Sequence, residues 1–172
     1  MKIGIDFDNT LVNTYEVTKE RLDRYLPGNN LHSYHDLDPV EEQKFFDKYY
    51  LEILENVTLY PYAKEALEEL RKMGCTLVLV TARGIYSQES GKPTLKVLQK
   101  FGIEFDEYYW GNPIKGHVCK DNHIDLMIDD LQSVCEEVSS KGVKVLNFGE
   151  TSDRFAYALN WKEVVEYVKK GL

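Results

Sequence analysis

The stretch IGIDFDNTL, residues 3–11, starts with apolar residues and ends on Asp6 and Asp8, which flank Phe7 and are followed by Asn9 and Thr10. An apolar run that accumulates rather than alternates fits a strand covered on both faces, as in the middle of a parallel sheet. Two anions separated by one residue then sit at the strand's end, where they repel each other. The chain is expected to bend after Asp6, with Thr10 securing the bend.

Working outward, CTLVLVTA (75–82) is a second continuous apolar run. Before it, PYAKEALEELRKMG (61–74) places Ala63, Ala66, Leu67 and Leu70 on one helical face, with Pro61 at the start and Gly74 at the end. A Gly-containing loop (84–92) leads to a short helix with Pro93 near its start, Leu95, Leu98 and Phe101 facing inward, and Gly102 at its end. A weak strand in DEYYWG (106–111), one or two helical turns over 114–122 and a buried strand in IDLMIDD (124–130) follow. A helix over 131–142, a strand in VKVLNF (143–148) and an amphipathic helix over 161–172 complete the pattern. The alternation predicts an α/β fold, a Rossmann-like parallel sheet flanked by helices.

About seventy residues separate the first two strands, far more than the dozen or so a crossover needs. Residues 13–60 are therefore expected to form a small helical cap, inserted after the first strand of a core made of 1–12 and 61–172. Its second helix opens with Asp38 as cap and Pro39 at the first position, with Glu41 three residues on. Phe46, Tyr49, Tyr50, Ile53, Leu54 and Val57 give that helix its apolar face. Tyr15, Leu22, Tyr25 and Leu26 do the same for an earlier helix that ends at Pro27-Gly28. The insertion leaves from the carboxyl edge of the sheet, where ligands bind in open parallel sheets, so it is expected to act as a lid.

Composition narrows the field. At 172 residues, with 43% hydrophobic and 29% charged residues, the chain is expected to be one ordered domain with an insertion. A formal charge of -8 supplies no field for steering onto a polynucleotide, and no stable nucleic-acid complex is expected. No apolar run approaches the roughly 18 residues of a membrane span, and three widely spaced cysteines suit reduced, buried thiols. A cytoplasmic protein is expected.

Strand ends in a parallel sheet converge on one rim, which here gathers Asp6, Asp8, Thr10, Thr81, Ala82, Arg83, Asp129 and Asp130. Like charges in such a crevice cost about 4 kcal/mol per pair at 4 Å and an effective dielectric near 20, so a cation or a raised pKa must relieve them. Oxygen-only ligands call for a hard ion, and magnesium is the expected cofactor. Threonine hydroxyls and loop N–H groups are phosphate-binding parts. Two lysines in NPIKGHVCKDNHIDLMIDD (112–130) compete to neutralise the anions; Lys115 lies at the rim end of its helix and Lys120 at the far end.

With these residues assembled, the chain resembles the haloacid dehalogenase superfamily of phosphohydrolases along nearly its whole length. DFDNT (6–10) looks like the family's Asp-x-Asp-x-Thr motif, VTAR (80–83) like its second, Lys115 like its third, and IDD (128–130) like the acidic pair of its fourth. The resemblance implies Asp6 as the nucleophile that forms an aspartyl-phosphate and Asp8 as general acid and base. It implies Thr81, Ala82, Thr10 and Arg83 on the phosphate, Lys115 as charge balance, and magnesium on Asp6, the Asp8 carbonyl, Asp129 and Asp130. Either of the last two could bind the metal directly.

The helical insertion and IDLMIDD look most similar to the 5'(3')-deoxyribonucleotidase branch, which implies a nucleotide substrate. Asn9-Thr10 and TARG depart from that branch, and Thr-x-Arg also resembles polynucleotide kinase-type phosphatases. Sugar phosphates and 3'-phosphorylated polynucleotides are the alternatives, and a phospho-acceptor signalling module is a remote one. Phe45, Phe46, Tyr49, Tyr50, Tyr15 and Tyr34 are candidates for stacking on a base. His32, His35, His117 and His123 have no sequence partner that would make them bases or ligands.

Overall fold

A computed structural model describes residues 1–31, 33–84 and 91–171, with backbone alone at residue 35. Most of the 84–92 loop, His32 and the His35 side chain lie outside the described residues. At the centre is β1 (Lys2–Ile5), paired in parallel with β4 (Thr76–Val80) on one side and β6 (Leu126–Asp129) on the other. Outward from β4 lies β5 (Glu107–Tyr109), and outward from β6 lie β7 (Lys144–Phe148) and β8 (Ala156–Ala158), all parallel.

Alternate residues of the strands feed two cores. Ile3, Ile5, Leu77, Leu79, Leu126, Ile128 and Leu146 face one way, against α3 (Ala63–Lys72), α4 (Lys92–Phe101) and α7 (Trp161–Lys169). Val78, Val80, Met127 and Val145 face the other, against α5 (Gly116–Asp121) and α6 (Gln132–Ser140). Position 4 is tight for anything but glycine: a Cβ there would lie 2.8 Å from Met127 Sδ and 3.2 Å from Ile124, so those side chains would have to shift. All three cysteines are buried and free.

The chain leaves β1 for β4 and leaves β6 for β7, in opposite directions. Their carboxyl ends therefore open a crevice at a topological switch point, the general ligand site of open α/β sheets. Asp6 lies on one side of it, Asp129 and Asp130 on the other.

Between β1 and β4 run α1 (Thr14–Tyr25) and α2 (Pro39–Glu55), with a 3-10 turn at Tyr34–Asp36. A ladder of β2 (Val12–Asn13) with β3 (Thr58–Leu59), too short to announce itself in sequence, ties the two ends of this segment together. Asp38 caps α2 as expected, accepting from the N–H groups of Val40 and Glu41 at 3.0 and 3.2 Å. The Glu41 carboxylate instead accepts the Tyr25 hydroxyl at 2.6 Å, joining α2 to α1.

Several helix faces differ from expectation. On α2 the buried face carries Phe45, Tyr49, Ile53 and Leu54, whereas Phe46 and Tyr50 are only partly covered. On α1 the buried residues are Val17, Arg21 and Leu22, while Tyr15 and Leu26 are exposed. Arg21 takes a core position because its Nη2 pairs with Glu52 of α2 at 2.9 Å. On α4, Leu95 points outward and Val97 inward beside Leu98. Helix α3 starts at Ala63, two residues after Pro61, because Tyr62 adopts a left-handed φ of 67°. The edge strand β8 had no counterpart in the sequence reading.

Candidate active site

Asp6 continues the β1 ladder by one bond, its N–H donating to Ile128 O at 3.0 Å. The chain then turns: Leu11 and Val12 both donate to Phe7 O, at 3.1 and 3.0 Å, and Asn9 takes a left-handed φ of 56°. Asparagine tolerates that region better than most residues. Its Oδ1 accepts the N–H of Tyr15 at 2.8 Å, fastening the turn to α1. From α7, in the same core as Phe7 and Leu11, Trp161 Nε1 donates to Thr10 O at 3.0 Å. Asp6 and Asp8 thus project from a rigid bend with Phe7 buried between them.

The two aspartates keep different company. Lys115, 3% exposed, donates to Asp6 and, at 2.6 Å, to Asp129 Oδ2. Burial alone pulls this ammonium down, but the two carboxylates outweigh it and hold its pKa above the usual lysine range. Lys120, the competing lysine, is exposed near the other end of α5. Burial pushes the Asp6 carboxyl well above the usual range; Lys115 opposes this, and Asp129, Asp8 and Asp130 add to it.

Asp129 is held on every side. Its Oδ1 accepts Leu131 N–H at 3.0 Å, its Oδ2 accepts Lys115, and its carbonyl accepts Asn147 Nδ2 at 3.3 Å. Asp130 is less enclosed, with the Thr10 hydroxyl 3.4 Å from its Oδ1. Burial, then the charge of Asp129, pushes its carboxyl up to about 7. One carboxylate oxygen from each of Asp6, Asp129 and Asp130 lies within 4.8 Å of the others. Three crowded oxygen donors, two with raised pKa values, fit a hard divalent cation such as magnesium.

Asp8 turns away from that cluster. Arg83 grips its carboxylate with a fork, Nε to Oδ2 at 2.8 Å and Nη2 to Oδ1 at 2.7 Å, and Thr14 adds a hydroxyl bond. Burial would raise the Asp8 carboxyl; Arg83 and Thr14 outweigh it and hold the group below the usual range. Arg83 is 6% exposed, packed over the Phe7 ring at 4.4 Å. Thr81 is fully buried at the end of β4, and its Oγ1 accepts Arg83 N–H at 3.1 Å. Ala82 is exposed between them.

A cavity of about 540 Å³ opens beside this group. Asp8, Ala82 and Arg83 line it from the sheet side, and Lys19, Phe46 and Tyr50 from α1 and α2. The burial of Phe45 rather than Phe46, and the partial cover of Tyr50, matter here. Phe45 and Tyr49 build the helical core, while Phe46 and Tyr50, stacked at 4.8 Å, face the cavity. His117 and His123 are exposed.

Four supporting residues had escaped the sequence reading. Asn147, fully buried, donates to the carbonyls of both Asp129 and Asp130; a lone polar residue inside VKVLNF was the available signal. Glu137 accepts Gly116 N–H at 2.6 Å and so holds the start of the helix behind Lys115. Thr14 and Thr94, which brace Asp8 and Arg83, look like ordinary helix-start residues.

No family model matches the chain. Among solved structures it is similar to a putative β-phosphoglucomutase from Thermotoga maritima, with a TM-score of 0.76 at 15% identity over 99% of both chains. It is also similar to a haloacid dehalogenase-like family hydrolase from Streptococcus pneumoniae, with a TM-score of 0.65 at 20% identity over 97% of both. The chain thus has the fold of the haloacid dehalogenase-like hydrolases. A curated protein of Bacillus cereus described as a putative nucleotidase is 24% identical over 197 aligned positions spanning all of both chains.

Proposed function

We propose that this protein is a magnesium-dependent phosphomonoesterase that works through an aspartyl-phosphate on Asp6, with a nucleoside monophosphate as substrate and residues 13–60 as the cap over its site. One observation carries the chemistry: a buried lysine joins Asp6 to Asp129 at the crevice between β1 and β6, beside a third carboxylate.

In this reading, an Asp6 carboxylate oxygen attacks phosphorus as the ester P–O bond breaks, and Asp8, which must first take up a proton against the pull of Arg83, gives it to the leaving oxygen. Asp8 then takes a proton from the water that attacks phosphorus, releasing phosphate and restoring Asp6. Thr81 Oγ1 and the Ala82 N–H hold phosphoryl oxygens, and Lys115 balances their charge. Thr10 steadies Asp130. Magnesium would be held by Asp6, Asp130 and the Asp8 carbonyl, with Asp129 behind them bound to Lys115; when bound it neutralises and orients the phosphoryl group.

The substrate class rests on the cavity. Its volume of about 540 Å³ falls in the range of small-molecule sites, roughly 300–1,000 Å³. The Phe46–Tyr50 stack offers an aromatic face to a base, whereas a sugar phosphate calls for polar partners. The description of the Bacillus cereus relative agrees. The same cavity and helices disfavour a signalling module, which needs an open surface around its acceptor.

The test is a phosphate-release screen over nucleoside monophosphates, sugar phosphates and 3'-phosphorylated oligonucleotides, with magnesium and with EDTA. Nucleoside monophosphates should lead by kcat/KM, and EDTA should stop turnover. A leading sugar phosphate would reassign the substrate and keep the chemistry; full activity in EDTA would end the magnesium reading.

A further inference from the structure

Asn147 is wholly buried near the end of β7, opposite Asp129 in the sheet register. Its Nδ2 donates to two successive carbonyls, Asp129 O at 3.3 Å and Asp130 O at 3.0 Å, whereas its Oδ1 is buried with no hydrogen-bond partner among the described residues. Exchanging the two amide atoms would set an acceptor against two acceptors, so the carbonyls fix which way the group points. An orphaned buried acceptor costs stability, and a leucine of similar size would fill this place without one. Packing therefore does not account for the amide; the two carbonyls do. They belong to the turn between β6 and α6, where the capping residue, Leu131, offers the helix no side-chain bond. The Asp129 carboxylate is fixed by Lys115 and by the Leu131 N–H. The Asp130 carboxylate has the Thr10 hydroxyl at a long 3.4 Å, so its direction depends on how the turn holds its backbone.

We propose that Asn147 is a positioning residue for the divalent cation, clamping the turn after β6 so that the Asp129 and Asp130 carboxylates stand together at the crevice before a metal arrives. This role rests on the magnesium-dependent phosphomonoesterase reading above and concerns the affinity of its metal site. The clamp acts through backbone carbonyls and brings no charge of its own. Carboxylate oxygens of Asp6, Asp129 and Asp130 lie within 4.8 Å of one another, against their mutual repulsion. A turn free to move would let Asp130 swing outward, and binding would have to draw it back. Groups one step behind the ligands of a metal are typically worth about 10–100-fold in affinity for this reason.

Mn2+ takes the same oxygen ligands as magnesium, and electron paramagnetic resonance counts the free ion, so its Kd is read without turnover. Asn147→Leu and Asn147→Ala should bind Mn2+ about tenfold or more weakly than the unaltered protein. Val145→Ala lies two residues back on the same strand and face; it weakens the sheet but keeps the clamp, and its Kd should stay within about twofold. Circular dichroism at the titration temperature shows which variants are folded, and either folded Asn147 variant decides the matter. An unchanged Kd in the Asn147 variants, or an equal loss in Val145→Ala, would overturn the positioning role while leaving the phosphatase reading intact. An unaltered protein that binds no Mn2+ would overturn both this role and the magnesium reading.

Discussion

Asp6 and Asp8 are two residues apart, yet one sits in a crowd of anions relieved by a lysine and the other in the grip of an arginine. Asp6→Asn keeps the shape and removes the nucleophile, so turnover should fall by more than about 1,000-fold in a phosphate-release assay. Because Asp6 is pushed upward in the folded state, its ionised form is disfavoured there, and the neutral amide should leave the metal-free protein at least as stable. A thermal melt in EDTA checks this; a large drop in Tm would mean that Asp6 is needed for folding. Lys115→Met has the opposite sign. It strands Asp6 and Asp129 without their shared cation and should cost about 3–5 kcal/mol in urea unfolding with EDTA. Unchanged stability would show that the lysine charge is not what holds the carboxylates together. These roles were legible in DFDNT, Lys115 and IDD because each lies at a strand end or helix start. The braces Thr14, Thr94 and Asn147 were not, since their partners are 6, 11 and 17 or more residues away.

Elements carried by long apolar runs, β1, β4, β6 and β7, could be read directly, because burial on both faces leaves a continuous signal. Short elements could not: β2, β3 and β8 have two or three residues each and owe their pairing to neighbours brought close by the rest of the fold. On α2, Tyr49, Ile53 and Leu54 are buried as expected, but periodicity alone does not say which member of Phe45-Phe46 faces the core or that Tyr50 lies at its margin. The phase of α1 was hidden by Arg21, a buried charge whose partner belongs to another helix. Gly4 shows how an element's position depends on a single absence. A methyl group at this position would press on Met127 and Ile124, residues of and just before β6, the strand that delivers Asp129. Gly4→Ala should therefore destabilise by about 1–3 kcal/mol and lower magnesium affinity along with it. Urea unfolding and a metal titration measure the two effects; a loss of stability with unaltered metal affinity would mean that β6 yields without moving its carboxylates.

In a molecule of net charge -8, the acidic cluster is an electrostatic strain that a bound divalent cation would relieve. In the metal-free state Asp130 is pushed from an ordinary 3.8 up to about 7, and Asp6 is raised as well. A group whose folded pKa is raised stabilises fully below its unfolded value and loses that contribution as pH rises through the folded one. For Asp130 the loss runs from about pH 4 to about pH 7. On the proposed function, magnesium would require the ionised carboxylates and so would bind best where the metal-free protein is most strained. At about 100 times its Kd a ligand adds about 2.7 kcal/mol, which for a chain of this length moves Tm by about 5–10 °C. That shift is expected at pH 8. At pH 5.5 and the same magnesium concentration, Asp130 must first give up a proton about 1.5 pH units below its pKa. This costs about 2 kcal/mol and should leave a shift of less than about 3 °C. Differential scanning calorimetry at the two pH values, with magnesium and with EDTA, measures both shifts. Equal shifts would place the metal away from Asp130 and return the choice of direct ligand to Asp129.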